Sequence, residues 1–136
     1  MIREQRLDPA VHYLEIRGPQ PVEELGRRFD AALADGVRWL IVDLERAELA
    51  PEAETPLATV GCELRDRRGE LILVSSAPEV SEAVGRYEAA MRPAVASTVD
   101  QAITILKMLR PKSVLQAPRK WVTPLSLPRV EPPATA

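Results

Sequence analysis

The sequence predicts an α/β domain over residues 1–110, built on a mixed sheet of four to five strands with about four helices, followed by a proline-rich C-terminal extension over residues 111–136. Three observations carry this reading. Two alternating runs, Ile2 to Leu7 and Val11 to Arg17, are parted only by Asp8-Pro9-Ala10, a spacing that implies an antiparallel hairpin. A strand–loop–helix–strand unit then runs from Trp39 to Ser75. Its first strand, Trp39-Leu40-Ile41-Val42, is apolar up to Asp43, as expected of a central strand covered on both faces. Finally, six of the 13 prolines fall at or after Pro111, which excludes a helix or a central strand there.

The elements follow in order. Asp8-Pro9 favours a turn, because proline biases its predecessor away from the helical region. In the second strand His12, Leu14 and Ile16 fall on one face, and Val11, Tyr13, Glu15 and Arg17 on the other. His12 has no partner acid or cysteine at a readable spacing and reads as a core or edge histidine. Gly18-Pro19-Gln20-Pro21 breaks the strand and opens a helix with proline in its first turn. Val22, Leu25, Phe29 and Leu33 make its apolar stripe, and Gly36 ends it.

After Asp43 the second helix is expected to start at Pro56, with Thr55 as N-cap, and to bury Leu57, Val60, Gly61 and Leu64. Arg67-Arg68-Gly69 closes it, and Leu71 to Val74 forms the next strand. Ser76-Ala77-Pro78-Glu79 reads as a capping box for a third helix with the stripe Val80, Val84, Tyr87 and Met91, ended by Arg92-Pro93. Ala94 to Ser97 makes a short fifth strand. Thr98-Val99-Asp100-Gln101 caps a last helix whose stripe is Val99, Ala102, Ile103, Leu106 and Leu109. The extension still holds Trp121, Val122, Leu125 and Leu127, more apolar surface than a solvating tail needs. It is expected to dock on its own domain or on a second copy, as in a homodimer, with the residues after Pro132 disordered.

Composition bounds the function. A chain of 136 residues with 46% apolar and 28% charged residues is an ordinary globular domain that needs neither disulfide nor metal. A net charge of −2 gives no basic footprint for nucleic acid. One cysteine and one histidine cannot build a zinc site, and Cys62 reads as a small buried residue on a helix. The start lacks the apolar core of a signal peptide, and no apolar run reaches the length of a membrane span, so a cytoplasmic protein is expected. There is no nucleophile elbow, phosphate-cradling glycine loop or paired catalytic acid set, and no cofactor is implied. A phospho-receiver would need an acidic cluster after the first strand to hold magnesium, and His12 to Gly18 offers only Glu15.

The order of elements, together with Asp43-Leu44, Arg67-Arg68-Gly69-Glu70, Leu71-Ile72-Leu73-Val74, Ala77-Pro78-Glu79-Val80 and Thr98-Val99-Asp100-Gln101-Ala102, resembles the STAS domain, named for sulfate transporters and anti-sigma factor antagonists. The resemblance spans Met1 to Leu109. It implies a non-enzymatic protein-binding regulator of bacterial transcription, an anti-anti-sigma factor whose partner is an anti-sigma factor, often a kinase-fold one. In that family the kinase phosphorylates a serine in an Asp-Ser-Ser-Gly loop before the second helix. A phosphate is well received there by unpaired amides and the helix dipole. The present loop departs from this pattern. Counted from Asp43 the family's hydroxyl falls near Ala53, and counted back from Gly69 it falls near Glu52; neither accepts a phosphate. The turn after Gly18 also lacks the family's Gly-Glu-Leu-Asp pattern.

The expected docking surface is Asp43 with Pro51, Glu52, Ala53, Glu54 and Thr55. Glu52 and Glu54 read as ordinary acids near a helix N-terminus rather than phosphoserine mimics, since one carboxylate supplies less charge than phosphate. Thr55 is the remaining candidate acceptor, although as an N-cap its hydroxyl is already engaged. Asp43 reads either as an acid of the docking edge or as a cap on a loop amide. A switch by serine phosphorylation is therefore not expected. The alternative function is a ligand-binding or structural STAS module serving a larger signalling or lipid-transport assembly.

Overall fold

The computed structural model describes residues 1–88 and 92–109; Met91 and the extension with Trp121, Val122, Leu125 and Leu127 lie outside them. The chain runs β1 (Ile2–Asp8), β2 (Val11–Pro19), α1 (Val22–Ala34), β3 (Trp39–Glu48), a 3-10 turn (Pro51–Ala53), α2 (Glu54–Asp66), β4 (Glu70–Val74), α3 (Pro78–Gly85), β5 (Ala94–Ala96) and α4 (Val99–Leu109). The strands lie side by side in chain order, β1-β2-β3-β4-β5. β1 is antiparallel to β2, as the short turn requires, and every later neighbour is parallel. In the β1–β2 turn the Ala10 amide donates to Asp8 Oδ1 at 3.0 Å, which is how the Asp-Pro pair turns the chain.

Strand order decides where the helices go. With each parallel strand added on the same side and right-handed crossovers, all connecting helices must fall on one face. Accordingly Leu25 and Phe29 of α1, Leu57, Val60 and Leu64 of α2 and Val84 of α3 join Leu14, Leu40, Val42, Leu71 and Leu73 in one core. α4 follows the last strand and packs on the opposite face. There Val99, Ala102, Ile103 and Leu106 meet Val11, Trp39, Ile41, Ile72 and Val74. The β2 faces divide as the alternation predicts, with His12 beside Leu14 and Ile16. Its Nε2 accepts from Arg6 Nε at 3.0 Å and its Nδ1 lies 2.8 Å from the Glu4 carboxylate.

The two helix stops work differently. Gly36, at φ +85°, closes α1 with its amide donating to Leu33 O. At the end of α2 the left-handed residue is Arg68, at φ 64°, while the Gly69 amide donates to Leu64 O at 2.7 Å. Gly69 is needed for space instead: a Cβ there would stand 1.5 Å from the Arg38 carbonyl oxygen, with which Glu70 pairs. Arg38 donates back to the Arg67 and Arg68 carbonyls, so the foot of β3 caps α2.

Six sequence expectations change. α2 begins at Glu54 with Ala53 at its N-cap and no side-chain cap, so Thr55 sits in the first turn and caps nothing; the 3-10 turn at Pro51–Ala53 runs straight into the helix. Pro21 is the N-cap of α1 rather than a residue of its first turn. The N-cap of α3 is Ala77, because Ser76 is drawn away to Glu45, whose carboxylate accepts from both its amide and hydroxyl, at 3.0 and 3.2 Å. α3 also stops at Gly85, short of Met91, and Arg92 donates to the Gly85 and Tyr87 carbonyls. Finally, β3 continues past Leu44 to Glu48, bulging between Asp43 and Arg46 before pairing with Arg17, Gly18 and Pro19. β4 ends at Val74, so this extension lies at the open rim and tolerates the charges of Glu45, Arg46 and Glu48. Cys62 is half-buried rather than buried. Thr98 caps α4 as expected, the Gln101 amide donating to its Oγ1 at 3.1 Å, while the Gln101 side chain reaches one residue further back and accepts from the Ser97 amide.

Candidate functional site

The C-terminal ends of β3 and β4 open beneath the N-terminus of α2 and the short helix α3. α3 has only eight residues, too few to close over the sheet as α1 and α2 do. An apolar cleft of about 290 Å³ is left, lined by Leu44, Leu49, Leu57, Val80, Tyr87 and Pro93 among others. Its rim is acidic: Glu54 and Glu79 line it, and Glu52 stands exposed beside it on the 3-10 turn. Arg86 reaches Glu54 across the mouth at 3.6 Å, but both side chains are largely in water, so the pair holds little energy. The Tyr87 hydroxyl leans towards the Glu54 carbonyl at 3.4 Å, and burial with the nearby Glu54 carboxylate raises its pKa.

A second groove, of about 470 Å³, runs between α1 and α2, bordered by Val22, Phe29, Thr55, Pro56 and Thr59. The segment Pro51 to Thr55 is thus a ridge with an apolar depression on each side. Of the residues expected at the docking surface, Pro51, Glu52 and Thr55 are exposed on this ridge and Glu54 is half-exposed. Ala53 turns inward and is buried in the core of the helix face. Of the two positions that match the family's hydroxyl, one faces water and the other does not.

Asp43 stands apart from the ridge. It is buried at 5% exposure on the α4 face. The Tyr13 hydroxyl donates to Oδ2 at 2.6 Å and the Glu45 amide to Oδ1 at 3.1 Å. The carboxylate therefore braces the bulge of β3. Burial, and then the bond to Asp43, raise the Tyr13 phenol well above its ordinary value. The residues that sequence reasoning missed are Leu49, Val80, Tyr87 and Pro93. The signal was the α3 stripe, assigned wholly to the core; a two-turn helix exposes part of any such stripe at its end.

Among the described residues no group of histidine, cysteine and acids is placed to hold a metal, and no helix is long and apolar enough to cross a membrane.

No family model and no curated protein matches the chain in sequence. Solved structures do match, 11 chains among them. The anti-sigma factor antagonist SpoIIAA in its unphosphorylated form is 16% identical, with a TM-score of 0.64 over 79% of this chain and 98% of that one. The Bacillus cell fate determinant SpoIIAA in its phosphorylated form gives 16% and 0.63, over 78% and 99%. An anti-sigma factor antagonist from Mycobacterium paratuberculosis is 20% identical, with a TM-score of 0.66 over 79% and 93%. The hairpin, the parallel strands that follow it and the four helices are thus those of a known architecture, and this chain has the STAS fold of the anti-sigma factor antagonists.

Proposed function

We propose that the protein is a non-enzymatic, cytoplasmic regulator that binds a protein partner, as an anti-sigma factor antagonist does, through the Pro51–Thr55 ridge and the apolar cleft beside it. One observation carries the reading: the ridge exposes Glu52, Glu54 and Thr55 between two depressions at the end of the molecule where the parallel strands stop. Open parallel sheets receive their ligands at that end. The matching partner surface presents an apolar side chain ringed by basic groups, since the apolar centre supplies affinity and the acids supply steering. A kinase-fold anti-sigma factor is the candidate partner, and nucleic acid is not.

Docking here works without a serine switch. No serine lies between Asp43 and Leu71, and Ala53 is buried. Thr55 is the exposed hydroxyl of the ridge and is not engaged as a cap. Incubation with a cognate anti-sigma kinase and ATP, read by intact mass, is expected to leave the protein unmodified while the two co-elute. A stoichiometric phosphate on Thr55 would overturn the unswitched reading, and loss of co-elution would overturn the partner.

The cleft's apolar lining supports a second reading, a ligand-binding STAS module. A volume of about 290 Å³ falls at the lower end of the range for small-molecule sites. Native mass spectrometry of freshly purified protein distinguishes the two, because a co-purifying adduct lost on Leu57→Trp belongs to the second.

A further inference from the structure

The two halves of the α4 face are not covered alike. α4 packs on β3, β4 and β5, and no described helix makes an extensive contact with this face of β1 or β2. Yet Val11, Tyr13 and Glu15, which point to this side of β2, are exposed by only 0%, 2% and 3%. Side chains on a sheet face stand roughly perpendicular to it, so neighbouring strands alone cannot bury them. Val11 and Tyr13 join the α4 cluster at its β2 margin, and the guanidinium groups of Arg3 and Arg17, 3.8 and 3.2 Å from Glu15, shield that carboxylate in part; neither accounts for so complete a burial along β2.

The chain leaves α4 at this place. α4 starts beside Val74 and Ala96 at the upper end of the sheet and runs back towards its foot. Leu106 there shares a cluster with Val11 and Trp39, the first residues of β2 and β3. Leu109 therefore lies towards the foot of the sheet, on the α4 face. Val11 to Ile16 is about 20 Å of strand at roughly 3.3 Å per residue. Six to eight extended residues span that distance, and 27 are available.

We infer that residues 110–127 form an intramolecular strap over the β1–β2 half of the α4 face, with Trp121 and its apolar neighbours seated against Val11 and Tyr13. The charges agree. Of the net −2, residues 1–109 carry −6, and residues 110–136 carry +4 from five basic side chains against Glu131. The face to be covered holds the buried acids Glu15 and Asp43. Pro111, Pro118 and Pro124 bar a helix but suit an extended segment lying across a face, where no ladder bonds are demanded. A short tether also favours the chain's own face over a second copy, because its effective concentration is in the millimolar range. The strap leaves the α2–α3 cleft free and does not depend on the function proposed for it.

The test uses the full chain. A nitroxide is placed at Thr123→Cys in a Cys62→Ser background, and amide signals are compared with the reduced label. Loss of intensity is expected at Gln5, Tyr13 and Glu15, with Glu63 on α2 unaffected. Broadening at Leu57 or Val80 beside the cleft, or none in the folded domain, overturns the strap. So does broadening that appears only between labelled and unlabelled molecules in a mixture, which would assign the face to a second copy. Because the added cysteine can disturb packing, Trp121 is read separately in full-length Trp39→Phe. Blue-shifted emission quenched poorly by iodide is expected, and emission matching free tryptophan overturns the inference.

Discussion

The two faces of the sheet are made of different materials. Towards α1, α2 and α3 every buried strand residue except His12 is apolar: Leu14, Ile16, Leu40, Val42, Leu44, Leu71 and Leu73 meet leucine, valine and phenylalanine from the helices. Towards α4 the apolar cluster gives way on β2 and β3 to Tyr13, Glu15 and Asp43, buried and bonded to one another or to arginine. The first face can be repacked by shape alone, because apolar cores tolerate exchange that conserves volume. The second depends on partners, because a buried polar group left without one costs about 1–3 kcal/mol. Stability should therefore respond to volume on one side and to hydrogen bonding and pH on the other.

The largest effect is expected on the helix face. Leu64, fully buried in α2, packs in the apolar core of this face. Leu64→Ala is expected to destabilise by about 2–5 kcal/mol in urea unfolding, and Leu64→Met by less than about 1.5 kcal/mol. A loss under about 1 kcal/mol for Leu64→Ala would mean that this face is not the tightly packed one.

Tyr13→Phe tests the other face. The change keeps the ring and removes the donor from Asp43 Oδ2, for an expected loss of about 1–3 kcal/mol. It also alters the alkaline limb of stability. The Tyr13 pKa is raised by burial first and by Asp43 second, so the native state keeps a proton that the unfolded state releases near pH 10. The contribution is complete below that pH and lost as pH rises through the native value. Tyr87, raised by burial, acts in the same direction. The wild type should lose stability above about pH 10 more steeply than Tyr13→Phe, by paired melts at pH 8 and pH 10.5. Parallel curves would place the phenol in contact with water.

What the sequence disclosed follows the same division. The stripes Leu57-Val60-Gly61-Leu64 and Val99-Ala102-Ile103-Leu106 were legible because helical periodicity reports one buried side directly. The alternation of β2 placed each side chain on its correct face. It did not show that Glu15 is buried, since an acid on a strand usually marks water, nor that Asp43 is held by a tyrosine 30 residues earlier. The cleft was hidden for another reason. Its walls come from β3, α2 and α3, and its opening depends on α3 stopping at Gly85, a boundary that local patterns fix poorly.

Helix starts sharpen the comparison further. Thr55 and Thr98 both look like N-caps, yet only Thr98, on the α4 side, bonds an amide of its own helix. The turn Pro51–Ala53 takes over the entry to α2, so Thr55 is carried inside the first turn. Thr98→Ala is expected to cost about 1 kcal/mol and Thr55→Ala less than about 0.5 kcal/mol. Equal losses would return Thr55 to a capping role.

The smallest effect on stability should accompany the largest effect on binding. Glu52 is exposed on the ridge, and Glu54 is half-exposed and paired with Arg86 only through solvent-screened contact at 3.6 Å. Reversing both charges in Glu52→Lys/Glu54→Lys removes a weak surface pair and the favourable placement of acids at the start of α2. Each counts for a few tenths of a kcal/mol. The melting temperature should move by only about 1–3 °C. A partner steered by these acids, in contrast, should lose association rate, and the loss should shrink as salt is raised. Stopped-flow association with the partner at two ionic strengths, beside a melt of the same preparation, separates the two quantities. An unchanged association rate would move the docking surface away from the ridge, and a collapse of the melt would show that the acids serve the fold instead.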